Sequence, residues 1–353
     1  NRNSFGYYFI SPLYYAIGTA AEQIYIAQRT AESKNKKMII LFPNKINYKN
    51  YKICNSYLFK NLIINDNDKI NFFVHQFFNI IFNVSLFFLS IYNFIFRVDK
   101  RINYPNIGLN LKELHLDDKI DLKECKKTYE FYEGRFSLPK KDEDEFFEDI
   151  KRYIDFNKNK KIVTIHFRDS LYRKDYNRRI FRNSSIKNAY KAINYLLDKG
   201  YFVVRIGNLA KEKFNINHPN FLDYPFSKIV SDKLDVFFIK NSNFFIGTQS
   251  GLVAIADIFN VPVLLLNMYQ LFEGYPKKTC DRGIFKNILF KKDNKNLSIE
   301  EFMKLPHEYH HSNMKKEFYG NLEFYENTEI QIYTAIKEFE FLYSRGQLNL
   351  HTS

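Results

Sequence analysis

The chain has 353 residues, enough for two domains of ordinary size that each have their own core. Hydrophobic residues at 45% and charged residues at 26% are typical of a globular protein and exclude a disordered one. The net charge of +14 favours anionic partners such as nucleotides, nucleic acid, acidic glycans or an anionic membrane face, and charge alone does not choose among them.

The cysteines and the first residues indicate a cytoplasmic protein. Cys54, Cys125 and Cys280 are far apart and have neither CxxC spacing nor a neighbouring histidine pair. They therefore indicate no disulfide framework and no zinc site, which fits a reducing compartment. The first residues, NRNSFGYYFISP, lack the charged start and the small-residue cleavage site of a signal peptide.

The chain opens with a β-α-β pattern. Tyr7 to Ile10 predict a strand, Ala20 to Glu32 a helix and Met38 to Phe42 a second strand. The loop from Pro12 to Thr19 then lies at the carboxyl end of the first strand. A weaker repeat over residues 51 to 66 predicts a third strand at Leu62 to Ile64.

Residues 71 to 96 contain no charged side chain, and three interpretations stay open for them. A stripe of polar side chains at helical spacing, opposite the Phe, Ile and Leu residues, favours a long amphipathic helix packed in the amino-terminal domain. Insertion into a membrane surface, helped by Arg97, Lys100 and Arg101 just after the segment, is the second interpretation. The length also suffices to span a bilayer.

The second half alternates short apolar runs with helical patterns. Strands are predicted at Ile162 to Ile165, Tyr201 to Ile206, Phe244 to Ile246 and Val261 to Leu266, with helices between them. Such alternation is typical of a doubly wound parallel sheet. A Lys- and Asn-rich stretch places the domain boundary between residues 140 and 160, which gives domains of 1–150 and 151–353.

Charged and small residues follow three of these strands. Ligands of open α/β sheets bind outside the carboxyl ends of the strands, so these residues stand where a ligand would bind. Arginines neutralise a diphosphate with bidentate geometry, and a glycine-rich turn before a helix binds phosphate at the helix amino terminus. The alternatives are a surface salt-bridge cluster and a helix cap. The residues concerned are His166, Arg168, Asp169 and Arg173; then Arg205, Gly207 and Asn208; then Gly247, Thr248, Ser250 and Gly251.

The second half also resembles a known family. HFRDSLYR at 166–173, RIGN at 205–208, LDVFF at 234–238, FFIGTQSGL at 244–252, FNVPV at 259–263 and YENTEIQIYTAIKEF at 325–339 are similar to motifs of bacterial glycosyltransferases from surface-polysaccharide loci. These enzymes have the GT-B architecture. More distantly, the HxR strand end and the glycine turn are similar to those of fucosyltransferases that use GDP-fucose.

The resemblance implies a fold and a function. The fold is two Rossmann-like domains that face each other across a cleft, with the acceptor on the amino-terminal domain and the nucleotide sugar on the other. His166 and Arg168 would contact the diphosphate or the donor sugar, and Thr248, Ser250 and Gly251 the phosphates. Glu326, Asn327 and Thr328 match a motif of unassigned role, and the simpler interpretation is a cap of the last helix.

Sugar transfer requires a stabilised leaving diphosphate and often a base for the acceptor hydroxyl. Arginines and a helix end supply the first without a metal, so we expect neither a metal nor a cofactor. Asp169 and Glu22 are the candidate bases, and each is equally a candidate structural carboxylate. The expected acceptor is a polysaccharide or lipid-linked glycan of the capsule or lipopolysaccharide type, with peripheral contact to the anionic inner membrane face.

Two other functions stay open. A nucleotide-sugar epimerase or hydrolase of the same fold would turn over the donor without an acceptor. A non-enzymatic protein that binds anions or nucleic acid is suggested by the net charge of +14. Because the basic residues are scattered among 39 acidic ones, no nucleic acid is expected as a partner.

Overall fold

The computed structural model describes residues 7–10, 17–33, 35–41, 54–61, 63–64, 76–85, 87–88, 91, 136–151, 156, 159–169, 171, 180–207, 209–270, 276–310 and 316–348. The chain divides into two compact units, of which the first is residues 1–128 with 134–138 and the second is residues 129–133 with 139–353. The division at 138/139 lies before the predicted boundary at 150/151.

The first unit begins with the predicted β-α-β fold. Strands β1 (Tyr7–Ile10) and β2 (Lys37–Ile40) pair in parallel, and helix α1 (Ile17–Ser33) connects them. The buried residues of α1 recur at spacings of three and four, which gives the helix one apolar face. Helix α2 (Ser56–Asn61) follows, and the short strands β3 (Ile63–Ile64) and β4 (Phe136–Ser137) pair antiparallel.

The 76–91 segment, which is helical at 76–85, 87–88 and 91, exposes its apolar face. Phe78 and Phe82 pack against Phe9, Ile39 and Leu41 of the β1–β2 layer. In the polar stripe, the Asn83 side chain donates a hydrogen bond from Nδ2 to the backbone carbonyl of Asn79, one turn earlier, at 2.8 Å. The interpretation as an amphipathic helix packed in the amino-terminal domain thus describes Phe78 and Phe82 but not the other apolar side chains of the segment. These are exposed: Phe77, Ile80, Ile81, Val84, Phe87, Phe88 (64%) and Ile91. None of the helices described is long and apolar enough to cross a membrane.

The second unit is built on a six-stranded parallel sheet, so the predicted α/β class is confirmed. The strands are β5 (Ile162–His166), β6 (Phe202–Arg205), β7 (Phe221–Asp223), β8 (Ser242–Gly247), β9 (Val263–Met268) and β10 (Arg282–Phe285). Their spatial order is β10-β9-β8-β5-β6-β7, and every neighbouring pair is parallel. This is the doubly wound order, in which the direction of winding reverses between β5 and β8.

Helices cover the sheet on both faces. Helices α4 (Tyr190–Asp198) and α9 (Glu329–Ser344) pack with one face of β5, β6, β8 and β9 in the main core. The other face carries α3 (Lys140–Lys151), α5 (Asp232–Lys240) and α6 (Gly251–Ile258). Phe146 of α3 stacks on Phe237 of α5 with ring centroids 4.9 Å apart, which places α3 in the second unit.

A small layer that the sequence did not predict follows the sheet. Strands β12 (Lys295–Leu297), β11 (Asn287–Phe290) and β13 (Leu322–Tyr325) form a three-stranded antiparallel sheet. Helices α7 (Ile299–Met303) and α8 (Lys316–Tyr319) lie between β12 and β13 along the chain. A second cluster that contains Phe181, Tyr269 and Phe302 fills the space beneath it.

Candidate functional site

The site lies where the winding of the sheet reverses. His166 ends β5 and Gly247 ends β8, and the two residues are partners in the register of these parallel strands. The loops that follow are tied together, because Thr248 N donates to His166 O at 3.1 Å and Arg168 N donates to Thr248 Oγ1 at 3.0 Å. The structure therefore brings together the first and third of the predicted strand ends.

Gly247 is required by the close approach of β5. A Cβ atom at this position would stand 3.1 Å from the backbone oxygen of His166 and 2.7 Å from a ring carbon of Phe245. The register pairing of His166 with Gly247 thus depends on the absence of a side chain. The sequence predicted a tight turn at this glycine, whereas the structure places it at the end of β8, where close packing leaves no room for a side chain.

His166 is held as a neutral imidazole. Its Nδ1 lies 3.0 Å from the carbonyl oxygen of Ile206, and since a carbonyl only accepts, Nδ1 carries the proton and Nε2 presents a lone pair. Burial lowers the pKa of His166 from 6.5 to about 4, and the Arg205 charge contributes in the same direction. Gly207, at φ +136°, lets the chain pass beside the ring.

Arg168 and Asp169 organise the loop after β5. Arg168 is 7% exposed and its Nη1 donates to Asn183 Oδ1. The two oxygens of Asp169 accept backbone N–H bonds from Leu171 at 2.9 Å and from Lys211 at 2.7 Å. This geometry favours the structural alternative for Asp169, which joins the loops after β5 and β6.

The prediction that Arg205 contacts a diphosphate is wrong. It is 2% exposed, and its guanidinium pairs with Asp223 at 3.3 Å and donates to the carbonyl of Glu212 at 2.6 Å. The Phe214 ring lies 5.1 Å from its Cζ. Since the charge is neutralised and enclosed within the protein, Arg205 stabilises the fold and does not present its guanidinium to a ligand.

The turn before α6 contains a hydroxyl group without a partner. Ser250 is the N-cap residue of α6, but its side chain makes no capping hydrogen bond, and its Oγ atom is buried without a hydrogen-bond partner. Gln249 fixes the turn because its side-chain amide donates to Gln270 O and accepts from Tyr269 N, both at 2.8 Å. The sequence did not predict this role. Gly251 begins the helix.

The side chains of residues 326–328 form hydrogen bonds with the loops around the site and with the start of α9. Both oxygens of Glu326 accept from Ser185 N, at 2.9 and 3.1 Å. Asn327 forms a reciprocal pair with Asn267, in which each backbone N–H donates to the other's Oδ1, at 2.6 and 2.7 Å. Thr328 caps α9 in a capping box with Gln331, so the capping interpretation is confirmed for Thr328.

Two further residues, which the sequence did not suggest, lie at this edge. Arg182 Nη2 lies 3.4 Å from the carbonyl of Gln249, at the turn before α6. The Lys286 ammonium donates to the carbonyls of Phe181 at 3.0 Å and Asn183 at 2.8 Å. Burial lowers the pKa of Lys286 to about 8, against the opposing effect of Glu326.

The other predicted residues lie in the first unit or outside the described part of the chain. Arg173 and Asn208 lie outside the described residues. Glu22 lies on α1 in the first unit, with intermediate exposure. Among the described residues, no group of three or more His, Cys, Asp or Glu side chains is placed to hold a metal ion.

Comparison with solved structures gives weak similarities to glycosyltransferases. The chain is similar to a bacterial iron-containing dodecameric glycosyltransferase, TibC, from enterotoxigenic E. coli, at 18% identity over 55% of this chain and 50% of that one, with a TM-score of 0.31. A second structure is the heptosyltransferase TibC in complex with ADP-D-beta-D-heptose. It is similar at 18% identity over 54% of this chain and 48% of that one, with a TM-score of 0.28. E. coli ADP-heptose LPS heptosyltransferase II is similar at 11% identity over 59% of this chain and 54% of that one, with a TM-score of 0.36.

The chain thus spans about half the length of these structures. At these TM-scores the likeness carries no argument about the fold or the substrate of this chain. No protein-family model matches the sequence, and no curated protein matches it. The functional argument therefore depends on the geometry of the site.

Proposed function

We propose that the chain is a GT-B glycosyltransferase that moves a sugar from a nucleoside diphosphate sugar to a glycan or lipid-linked acceptor of the bacterial surface. The observation that carries this proposal is the pairing of His166 with Gly247 where the sheet winding reverses, beside the amino terminus of α6. That place in a doubly wound sheet binds nucleotides, and a helix amino terminus attracts phosphate.

The chemistry of the site suits a sugar diphosphate. A neutral His166 with a free Nε2 lone pair accepts a hydrogen bond from a sugar hydroxyl and adds no positive charge. Ser250 Oγ and the backbone N–H groups of α6 supply donors for phosphate oxygens. The leaving diphosphate would then be stabilised by fixed dipoles and cations without a metal.

Two serines at helix starts provide a sharp test of this site. Ser250 Oγ has no partner in the protein, so Ser250→Ala should leave the unfolding free energy nearly unchanged. It should weaken nucleoside diphosphate binding by roughly tenfold or more, since hydrogen bonds to charged groups are among the strongest. Ser231, whose side chain accepts from Leu234 N and caps α5, is the matched control. Ser231→Ala should lower stability by about 1 kcal/mol and leave binding unchanged.

The measurement is thermal unfolding with UDP, GDP, ADP and CMP, followed by calorimetric titration. A ligand at about 100 times its dissociation constant adds roughly 2.7 kcal/mol to the stability of the wild type. Equal affinities of wild type and Ser250→Ala would contradict the placement of the phosphates. Donor turnover at the same rate with and without acceptor would instead favour the epimerase or hydrolase.

The base for the acceptor hydroxyl is a separate part of the proposal. Asp169 accepts hydrogen bonds from two backbone N–H groups, which favours a structural role for it, and Glu22 stays a candidate base. Glu22→Gln should leave donor affinity unchanged and reduce transfer at least about a hundredfold. Full transfer by this variant would return the role to Asp169 or to a group elsewhere.

The 76–91 segment supports peripheral contact with an anionic membrane. Its exposed apolar side chains lie on a segment without charges, and Arg97, Lys100 and Arg101 follow it along the chain. Apolar insertion combined with basic flanking residues is the pattern of a helix at a membrane interface. Such contact would place the enzyme near a lipid-linked acceptor on the cytoplasmic face.

Flotation with vesicles of phosphatidylglycerol and phosphatidylcholine tests this contact. A variant with Phe77→Asp and Phe88→Asp should lose flotation and keep its fold, because both side chains are exposed. The matched control carries Ile299→Asp and Ile330→Asp, two exposed apolar residues of the second unit, and should float like the wild type. Equal flotation of both variants would argue against this surface.

A further inference from the structure

The guanidinium of Arg182 lacks a counter-charge. Its Nε atom is buried without a hydrogen-bond partner, and its Nη2 makes one long contact of 3.4 Å to the carbonyl of Gln249. The Tyr269 ring lies 5.9 Å from its Cζ. No carboxylate of the described residues lies within ion-pair distance of it. A partly buried cation without a counter-charge is costly, and a bound anion would offset that cost.

The surrounding backbone fixes the position of Arg182. The Lys286 ammonium, which is 5% exposed, donates to the carbonyls of Phe181 and Asn183, on either side of Arg182. Asn183 in turn accepts a hydrogen bond from Arg168 Nη1. A guanidinium held in this way loses little entropy on binding a ligand.

Arg182 also lies beside the start of α6, because its Nη2 contacts the carbonyl of Gln249 in the turn before that helix. The helix dipole adds positive potential at this end of α6.

We propose that Arg182 binds the diphosphate of the donor, in a site that it forms with the Ser250 hydroxyl and the first N–H groups of α6. This inference rests on the proposed function and specifies its anion-binding arginine. The planar guanidinium bridges oxygens of adjacent phosphate groups, which an ammonium does not do. Lys286 acts as a positioning residue because it holds the backbone on both sides of Arg182.

Calorimetric titration of Arg182→Gln with UDP, GDP, ADP and inorganic pyrophosphate tests the proposal. The matched control is Arg345→Gln, which removes the same charge from an exposed arginine that stacks over Phe341 at 4.2 Å, at the end of α9. Arg182→Gln should weaken the binding of these anions by at least about tenfold, and Arg345→Gln by less than about twofold. Arg182→Lys, which keeps the charge and loses the planar fork, should give an intermediate loss.

The outcomes separate this inference from the proposed function. Nucleoside diphosphate binding that is equal in Arg182→Gln, Arg182→Lys and Arg345→Gln would overturn the role of Arg182 and leave the nucleotide site intact. Pyrophosphate binding that is lost only in the Arg182 variants, with no added affinity for any nucleoside diphosphate, would support Arg182 and refute the nucleotide donor. If the wild type bound none of these anions, the role of Arg182 and the proposed function would both be refuted. Should Arg182→Gln fail to fold, Arg182→Lys gives the same comparison.

Discussion

The neutral state of His166 predicts how stability depends on pH. Burial lowers the pKa of this imidazole from 6.5 to about 4 in the folded protein. Because the folded pKa lies below the unfolded value, the contribution to stability is present above pH 6.5 and is lost as the pH falls towards 4. At about 1.4 kcal/mol per pH unit, the full loss is about 3.5 kcal/mol, of which roughly 2.5 kcal/mol is lost by pH 4.5.

Urea unfolding of wild type and His166→Gln at pH 7.5, 6.0, 5.0 and 4.5 measures this contribution. Carboxylates titrate over the same range in both proteins, so the difference between the two unfolding free energies isolates His166. We expect the wild type to lose roughly 2.5 kcal/mol more than His166→Gln between pH 7.5 and 4.5. His218→Gln keeps His166 and should lose stability as the wild type does.

Parallel loss of stability in wild type and His166→Gln would refute the reasoning. It would mean that the imidazole is protonated in the folded protein at the same pH as in the unfolded chain. The hydrogen bond from Nδ1 to the carbonyl of Ile206 would then fix neither the charge nor the tautomer. The assignment of Nε2 as an acceptor for a sugar hydroxyl would fall with it.

The remaining predictions concern the scaffold around the site. Asp223→Asn leaves the buried Arg205 without its counter-charge and should lower the unfolding free energy by about 3 kcal/mol or more in urea titration. Gly207→Ala should lower it by more than about 1 kcal/mol, because φ at this position is +136°. Thr328→Ala should remove about 1 kcal/mol through loss of the α9 cap, measured in the same way. Burial, helped by the adjacent carboxylate, raises the pKa of the Cys280 thiol to about 12, so peptide mass spectrometry should show alkylation at pH 8 roughly a thousandfold slower in the folded than in the unfolded chain.

The sheet and the residues that follow its strands could be predicted from the sequence for physical reasons. Parallel strands buried on both faces are continuous apolar runs, and the runs before His166 and Gly247 have this character. Polar residues directly after such runs lie at the carboxyl edge of the sheet in any doubly wound order. The register that makes His166 and Gly247 partners required the structure, because strand order is set by packing.

Arg205 shows where this reasoning stops. Its position at the end of β6 is as predicted, but a strand end does not say which side chain finds a partner inside the protein. Asp223 ends β7 and is the register partner of Arg205. The strand β7 has three residues and no distinct apolar pattern, so nothing in the sequence predicts an acid beside this arginine.

For Arg182 and Lys286, the sequence did not predict even the position at the site. Arg182 follows a stretch without strand or helix periodicity, and Lys286 lies between two strands that are too short to predict. Their roles depend on contacts between segments about a hundred residues apart in the chain, such as Lys286 with the carbonyls of Phe181 and Asn183. No local pattern encodes contacts of this kind.

The polar groups around the site divide into those that the protein satisfies and those that it does not. Asn267, Asn327, Glu326 and Asp169 form hydrogen bonds within the fold, as buried polar groups in a scaffold should. Ser250 Oγ and the Arg182 guanidinium lie beside the same turn, and neither finds a good partner there. Folding alone gives no reason to bury a hydroxyl and a cation in this state, because each costs free energy. An anion between them supplies that reason, since its oxygens accept hydrogen bonds from both groups.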